Sequence, residues 1–305
     1  MIRVFGHKAP DADATGSAVI WSWYLNAVKG LDARPFVLDE PNNEARFVLD
    51  RWNTAVPAIL DGVRPGDDLV VVDTNNPDEL PDGINDANVI AVIDHHLIAG
   101  GLRTRQPIEF IVRPVAATAT VMAGLIGDHL DRAPDDIKGI MLSCILSDTL
   151  AFRSPTTTPE DEVLAKRLAR DLGIGIDEYA ETLFAAKSDM SHLTDTELLR
   201  LDSKIYGFPS GRFRVTVLET VSPAVPLARK EALMAGMEDV ARADGVDEVL
   251  VFVIDILRQE ATLLVPNDAV RSIARTAFQV VADGDSVRLP GIVSRKKQIV
   301  PALQG

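Results

Sequence analysis

Thiols are almost absent from this 305-residue chain, whose one cysteine is Cys144. No disulfide framework can form within it, and a reducing cytoplasm is the expected setting. Long apolar runs are missing as well. No stretch approaches the roughly 18 apolar residues that a membrane helix needs, so no membrane association is expected. The opening MIRVFGHKAPD lacks a basic segment followed by a long apolar one, so no signal peptide is expected. Positive charge is also scarce: 31 Lys and Arg against 45 Asp and Glu leave a net charge of −14 and a pI near 4.8. Binding along nucleic-acid phosphates needs clustered Lys and Arg, so nucleic acid is not an expected partner. A small anionic substrate stays open, because a metal ion or a local basic cluster can dominate the field at one site. Internal repeats and low-complexity segments are absent.

Apolar material is plentiful, at 47% of residues. That suffices for two packed cores, and the length suggests two domains. Through the first half, apolar strand-like runs at 2–6, 34–38, 69–72, 89–93 and 108–113 alternate with helical patterns. Those helices are expected at about 14–29, 43–52, 117–130 and from Pro134 to about Asp148. Strands alternating with helices imply an α/β fold, a mostly parallel sheet with flanking helices. Two more helices, near 158–172 and 177–186, lead to the polar stretch Lys187-Ser188-Asp189-Met190-Ser191-His192. The boundary is placed there: a first domain over 1–187, a linker at about 188–193, and a smaller α/β domain over 194–305. The second domain should carry strands at 213–218, 248–254 and 261–265, separated by helices at about 223–243 and 267–277.

The chain is organised around VIAVIDHH, Val89 to His96. Its β-branched run reads as a strand buried on both faces, and it ends in Asp94, His95 and His96. In an open parallel sheet, ligands sit at the carboxyl ends of the strands. Two other strands share this layout: one runs into His7, then Asp11 and Asp13, and another into Asp73. Asp148 closes the helical run IKGIMLSCILSD, where the helix dipole disfavours a carboxylate. Buried carboxylates repel one another unless a cation lies between them, so this gathering asks for divalent metal. Each piece also has a plainer reading. Asp13 could cap the following helix with Asp11 complementing its dipole, and Asp73-Thr74-Asn75-Asn76 could be ordinary turn chemistry. Near the end, Ser294-Arg295-Lys296-Lys297 is either a solvated basic face or an anion clamp, with Arg binding phosphate through its fork and Lys adding a point charge.

Taken in order, HKAPDAD, VDTNNP, IDHH, SDTLAFRSPT and the terminal SRKKQ resemble the manganese-dependent inorganic pyrophosphatases, the family II enzymes of the DHH phosphoesterase superfamily. The DHH motif alone would give only the superfamily; the SRKKQ tail and the AKSD linker narrow it. The resemblance implies hydrolysis of pyrophosphate to two phosphates by a hydroxide shared between two ions. One ion would be held by His7, Asp11 and Asp73, the other by Asp13, Asp73, His95 and Asp148, with Asp73 bridging. Asp73, His96 and Asp11 would carry the catalysis, and His96 would contact substrate rather than metal. Lys204, Arg295 and Lys296 would form the substrate clamp on the second domain. The implied ions are Mn²⁺ at both sites, with Co²⁺ an alternative and Mg²⁺ accompanying the substrate, in a homodimer formed through the first domain. Ala12 departs from the Thr or Ser expected there; it removes a hydroxyl but no ligand. Other DHH phosphoesterases, acting on polyphosphate, pAp or short oligonucleotides, are the alternative, and a non-catalytic metal- or phosphate-binding protein is another. No glycine-rich GGGH-type motif of the nucleotide-cleaving relatives occurs in the second domain.

Overall fold

A computed structural model describes residues 1–304 as two compact units, divided between Lys187 and Ser188. The first unit opens with β1 (Ile2–Phe5), α1 (Ala12–Ala27), β2 (Ala33–Val37), α2 (Asn43–Arg51) and β3 (Ala58–Ile59). It continues through β4 (Asp68–Val72), β5 (Asn88–Asp94) and β6 (Glu109–Val112). Four helices complete it: α3 (Thr118–Ile126), α4 (Asp135–Asp148), α5 (Pro159–Leu172) and α6 (Ile176–Lys187).

Its six strands lie in the order β3-β2-β1-β4-β5-β6, and every neighbouring pair is parallel. The chain winds outward from β1 through β2 to β3, then returns to lay β4 on the other side of β1. That reversal opens a crevice at the carboxyl ends of β1 and β4, where α/β sheets bind ligands. Strand alternation splits the core between the two faces. Val70 and Val72 of β4 pack with Val4, Ile93 and the helices α1, α3 and α4, while Leu69 and Val71 pack with Phe5, Leu80 and Ile84. Leu69 pairs with Val89 and Val70 with Ala91, so Ile90 is an extra residue that rephases β5 before it reaches Asp94. Helix α1 is buried on nearly all sides. At Gly16 a Cβ would lie 2.4 Å from Cys144 Sγ of α4, so only glycine permits this helix approach.

In the second unit α7 (Asp195–Leu198), β7 (Ser203–Phe208), β8 (Gly211–Thr220), α8 (Ala224–Leu227) and α9 (Lys230–Asp244) come first. Then follow β9 (Glu248–Asp255), β10 (Glu260–Leu264), α10 (Asp268–Phe278), β11 (Ser286–Pro290) and α11 (Val300–Gln304). The sheet order is β11-β10-β9-β8-β7, antiparallel except between β8 and β9. Central β9 is buried on both faces: Val249, Val251 and Val253 meet α7 and α9, while Leu250, Phe252 and Ile254 face the α10 side. Among the described residues no helix is long and apolar enough to cross a membrane.

Four local expectations change. The helix expected over 117–130 stops as an α-helix at Ile126, because Gly127 takes φ 59° and the chain tightens into a 3₁₀ turn to Arg132. The helix expected over 223–243 is two helices. Pro226, with no backbone N–H, lies in the first, and Arg229 leaves helical geometry between them. Strands β3, β7 and β11 are additional elements, made where short segments find partners at the sheet edges. Finally, the cap of α1 is Asp11, which accepts from the Ala14 N–H at 3.0 Å, and not Asp13.

Candidate metal centre

Three strand ends and two helix ends deliver the polar groups of the first unit. After β1 comes His7, whose Nδ1 lies 2.7 Å from the Lys8 carbonyl oxygen. A carbonyl only accepts, so Nδ1 carries the proton and Nε2 is turned inward, 3.4 Å from Asp73 Oδ2 and 3.7 Å from Asp11 Oδ1. Beyond β5, His95 repeats the arrangement. Its Nδ1 donates to the Val115 carbonyl at 3.1 Å, and its Nε2 stands 3.3 Å from Asp73 Oδ1, 3.9 Å from Asp148 Oδ2 and 4.0 Å from Asp13 Oδ2. An imidazole pinned through one nitrogen presents the lone pair of the other, which is how histidine binds a metal.

Asp73 is the hub. Its backbone takes φ 58°, a left-handed conformation costing of order 1–3 kcal/mol for a residue other than glycine. The turn aims the buried carboxylate so that Oδ2 faces His7 and Oδ1 faces His95. Asp13, in the first turn of α1, points into the same space, as does Asp148 at the end of α4. Ligand atoms of His7, Asp11 and Asp73 lie within 4.8 Å of one another, and so do those of Asp13, His95 and Asp148, and those of Asp73, His95 and His96. His96 is half exposed, and its Nδ1 donates to Asp94 at 2.9 Å.

The electrostatics are those of a crowded acid cluster. Burial, then the Asp73 charge, pushes the Asp13 carboxyl up to about 8. Burial and the neighbouring carboxylates Asp13 and Asp73 likewise raise Asp148 well above the usual range, and burial with Asp73 raises Asp11. For the histidines burial works the other way, but hydrogen bonding to Asp73 and the surrounding carboxylates prevail and lift both His7 and His95 to about 9. Burial also opposes ionisation of Asp73, yet His7 and His95 hold its carboxyl well below the ordinary value. Oxygen and imidazole donors converging at this spacing, mutually repelling unless a cation joins them, fit divalent metal.

Several supporting groups escaped the sequence reading. Thr118 donates its hydroxyl to Asp73 Oδ1 at 3.0 Å and its N–H to Asp13 Oδ2 at 2.6 Å, and the Ala119 N–H reaches Asp13 Oδ1 at 3.2 Å. The two bonds to Asp13 join the start of α3 to α1 across more than 100 residues of chain and the bond to Asp73 spans 45, so no local pattern announces them. Asp94 does not set the tautomer of His95. It accepts from His96 Nδ1, from the N–H groups of His95 and His96, and from Asn75 Nδ2 at 2.5 Å. Asn75 had a signal, the amide-rich turn directly after Asp73.

The basic residues lie in the second unit. Lys204 is exposed on β7, an edge strand, and Lys296 is exposed in the turn before α11. Arg295 binds Asp202, just before β7, through Nη2 to Oδ1 at 2.8 Å and Nη1 to the backbone carbonyl at 2.6 Å. The SRKKQ turn is therefore fastened to the start of the strand that carries Lys204.

Comparison with known proteins first gives a class. Residues 1–147 match the DHH family, N-terminal domain, and residues 181–305 match the DHHA2 domain. A Methanocaldococcus jannaschii protein named manganese-dependent inorganic pyrophosphatase is 33% identical, over 100% of this chain and 98% of its own. One from Deinococcus radiodurans, named probable manganese-dependent inorganic pyrophosphatase, is 36% identical over 100% of this chain and 98% of its own. A solved Methanococcus jannaschii structure, assigned to the family II inorganic pyrophosphatases, superposes with a TM-score of 0.62 at 32% identity, covering 100% of this chain and 98% of that one. The chain belongs to the family of manganese-dependent inorganic pyrophosphatases.

Proposed function

We propose that this protein hydrolyses inorganic pyrophosphate to two phosphates with two divalent ions, Mn²⁺ their natural identity, held in the first unit. The observation that carries the reading is the hub carboxylate: the two oxygens of Asp73 face separate donor sets, one through His7 and one through His95. His7, Asp11 and Asp73 would hold one ion; Asp13, Asp73, His95 and Asp148 would hold the other, with Asp73 shared. Bound there, the pair of ions would acidify water and offset charge on the phosphoryl oxygens.

The remaining work falls to side chains. Thr118 and the N–H groups at the start of α3 orient Asp73 and Asp13. The hydrogen bond to Asp94 raises His96 and so favours its imidazolium form, in which Nε2–H would donate to a phosphate oxygen. Asp11 is the most accessible of the four metal-facing carboxylates, its side chain 39% exposed against 19% for Asp148, and so suits proton exchange with solvent. On the second unit Arg295, Lys296 and Lys204 would bind substrate phosphate, Arg295 through the guanidinium N–H groups left over from its contacts to Asp202 and the lysines as point charges. Lys296→Ala should raise KM and lower kcat/KM; an unchanged KM would count against the clamp.

In the same reading Co²⁺ can replace Mn²⁺, since mixed imidazole and carboxylate donors suit either, and Mg²⁺ enters with substrate, matched to phosphate oxygens. The setting is cytoplasmic, in keeping with one buried cysteine, and the assembly is a homodimer through the first unit. The net charge of −14 speaks against a nucleic-acid substrate. The test is phosphate release from pyrophosphate, tripolyphosphate and pAp, with Mn²⁺ preloaded and Mg²⁺ present. Pyrophosphate should be turned over fastest; faster release from either alternative, or none from pyrophosphate, would overturn the assignment.

A further inference from the structure

One buried acid in the first unit is left unused by this mechanism. Glu44, in the first turn of α2, is 1% exposed. Its Oε2 lies 3.1 Å from Lys187 Nζ, and the same ammonium donates to Ser147 Oγ at 3.0 Å. Ser147 immediately precedes Asp148 on α4, and Lys187 is the last residue of α6. The three side chains thus join α2, α4 and α6 directly behind the acid cluster. Burial raises the Glu44 carboxyl, and Lys187 with Ser147 draws it back. The Lys187 charge also acts on Asp11 and Asp148.

We propose that Lys187, anchored by Glu44 and Ser147, is a positioning residue for the metal centre: it fixes the end of α4, and with it the Asp148 carboxylate. Glu44 supplies the balancing charge. A lone ammonium this close to Asp11 and Asp148 would compete with a divalent cation, and a lone buried glutamate would be a further acid with no partner. Paired, they add no net charge, so what they contribute is placement. The inference rests on the reading that Asp148 holds an ion.

Charge and placement predict opposite results, which makes the pair testable. Removing Lys187 alone deletes a positive charge and, if charge were its role, would tighten Mn²⁺ binding. Replacing both partners, in Glu44→Gln with Lys187→Met, leaves the net charge unchanged and removes only the anchor. Mn²⁺ affinity is followed through the electron paramagnetic resonance of the free ion, with thermal melting as the check on folding. The double variant should bind Mn²⁺ about tenfold more weakly, the lower end of what outer-shell partners of metal ligands contribute. Its kcat should fall while KM for pyrophosphate stays within roughly twofold, and Lys187→Arg, which keeps donor and charge, should restore most of the affinity. Ser147→Ala, a mild change, should weaken binding roughly threefold and decides the matter if the double variant does not fold. Parent-like Mn²⁺ affinity in the folded double variant, or in Ser147→Ala, would overturn the proposal, as would tighter binding by Lys187→Met. A parent protein that neither binds Mn²⁺ nor cleaves pyrophosphate would instead overturn the functional assignment beneath it.

Discussion

Asp73 concentrates the chemistry of the site in one side chain. It is buried, held in left-handed backbone geometry, and in contact with two imidazoles and the Thr118 hydroxyl. Asp73→Ala removes a group that both donor sets use, so pyrophosphate turnover should fall by at least about 10²-fold, the scale of losing one preorganised electrostatic contact. Retention of most turnover with Mn²⁺ present would show that the carboxylate is not shared. Thr118→Val keeps the side-chain shape and deletes one donor. Its Mn²⁺ affinity should weaken by about tenfold, measured by titration, because outer-shell donors fix ligand orientation. The backbone N–H of residue 118, bonded to Asp13, is unaffected by that change and separates the two contributions.

At the scale of elements, α4 carries most of the constraint. It packs against α1 at Gly16 and against Trp52 at Gly139, and it ends in Asp148. A Cβ at Gly139 would lie 2.1 Å from the Trp52 indole. That ring cannot easily retreat, since its Nε1–H donates to Ser143 Oγ at 3.1 Å and Tyr179 Oη at 3.0 Å. Gly139→Ala gains about 1 kcal/mol of helix propensity but overpacks by about 1–3 kcal/mol. The steric loss should prevail, lowering the melting temperature by a few degrees; a rise would show that the indole moves aside freely. α5 constrains the site less directly. Its buried Asp161 accepts from the Ala116 N–H, next to the Val115 carbonyl, and from the Thr120 hydroxyl, so its two contacts bracket Thr118.

For the whole molecule the acid cluster makes stability depend on pH and metal together. His7 and His95 titrate near 9 when folded against an ordinary 6.5, and Asp13 near 8 against 3.8. All three shifts are upward, so the folded protein binds more protons than the unfolded chain across the interval between those values. The histidine contribution is complete below pH 6.5 and is lost as pH rises through about 9. That of Asp13 is already complete at low pH and is lost as pH rises through about 8. The melting temperature of metal-free protein should therefore fall between pH 7 and pH 10. Saturating Mn²⁺, which takes the place of those protons, should raise the melting temperature and flatten the decline. A metal-free melting curve indifferent to pH over that range would contradict the electrostatics described here.

Much of this was legible along the chain because it is local. Continuous apolar runs identify five of the six strands of the first unit, all but the two-residue β3, helical spacing identifies its helices, and residues directly after strands such as His7, Asp73 and His95 stand out by type. The single helix expected at 223–243 differs because its apolar spacing continues across Arg229, where the backbone leaves helical geometry and separates α8 from α9. Strand β7 was missed because an edge strand buries little and so carries a weak pattern. What the sequence by itself determined is which side chains are titratable and which segments extend or coil, since propensity and side-chain chemistry act over a few residues. Only the tertiary structure decided that the Thr118 N–H meets Asp13, that Lys187 pairs with Glu44, and that the two oxygens of Asp73 face different histidines. Those contacts span tens to more than a hundred residues. They follow from the winding of the sheet and from helix packing, which bring distant chain ends together regardless of the sequence between them.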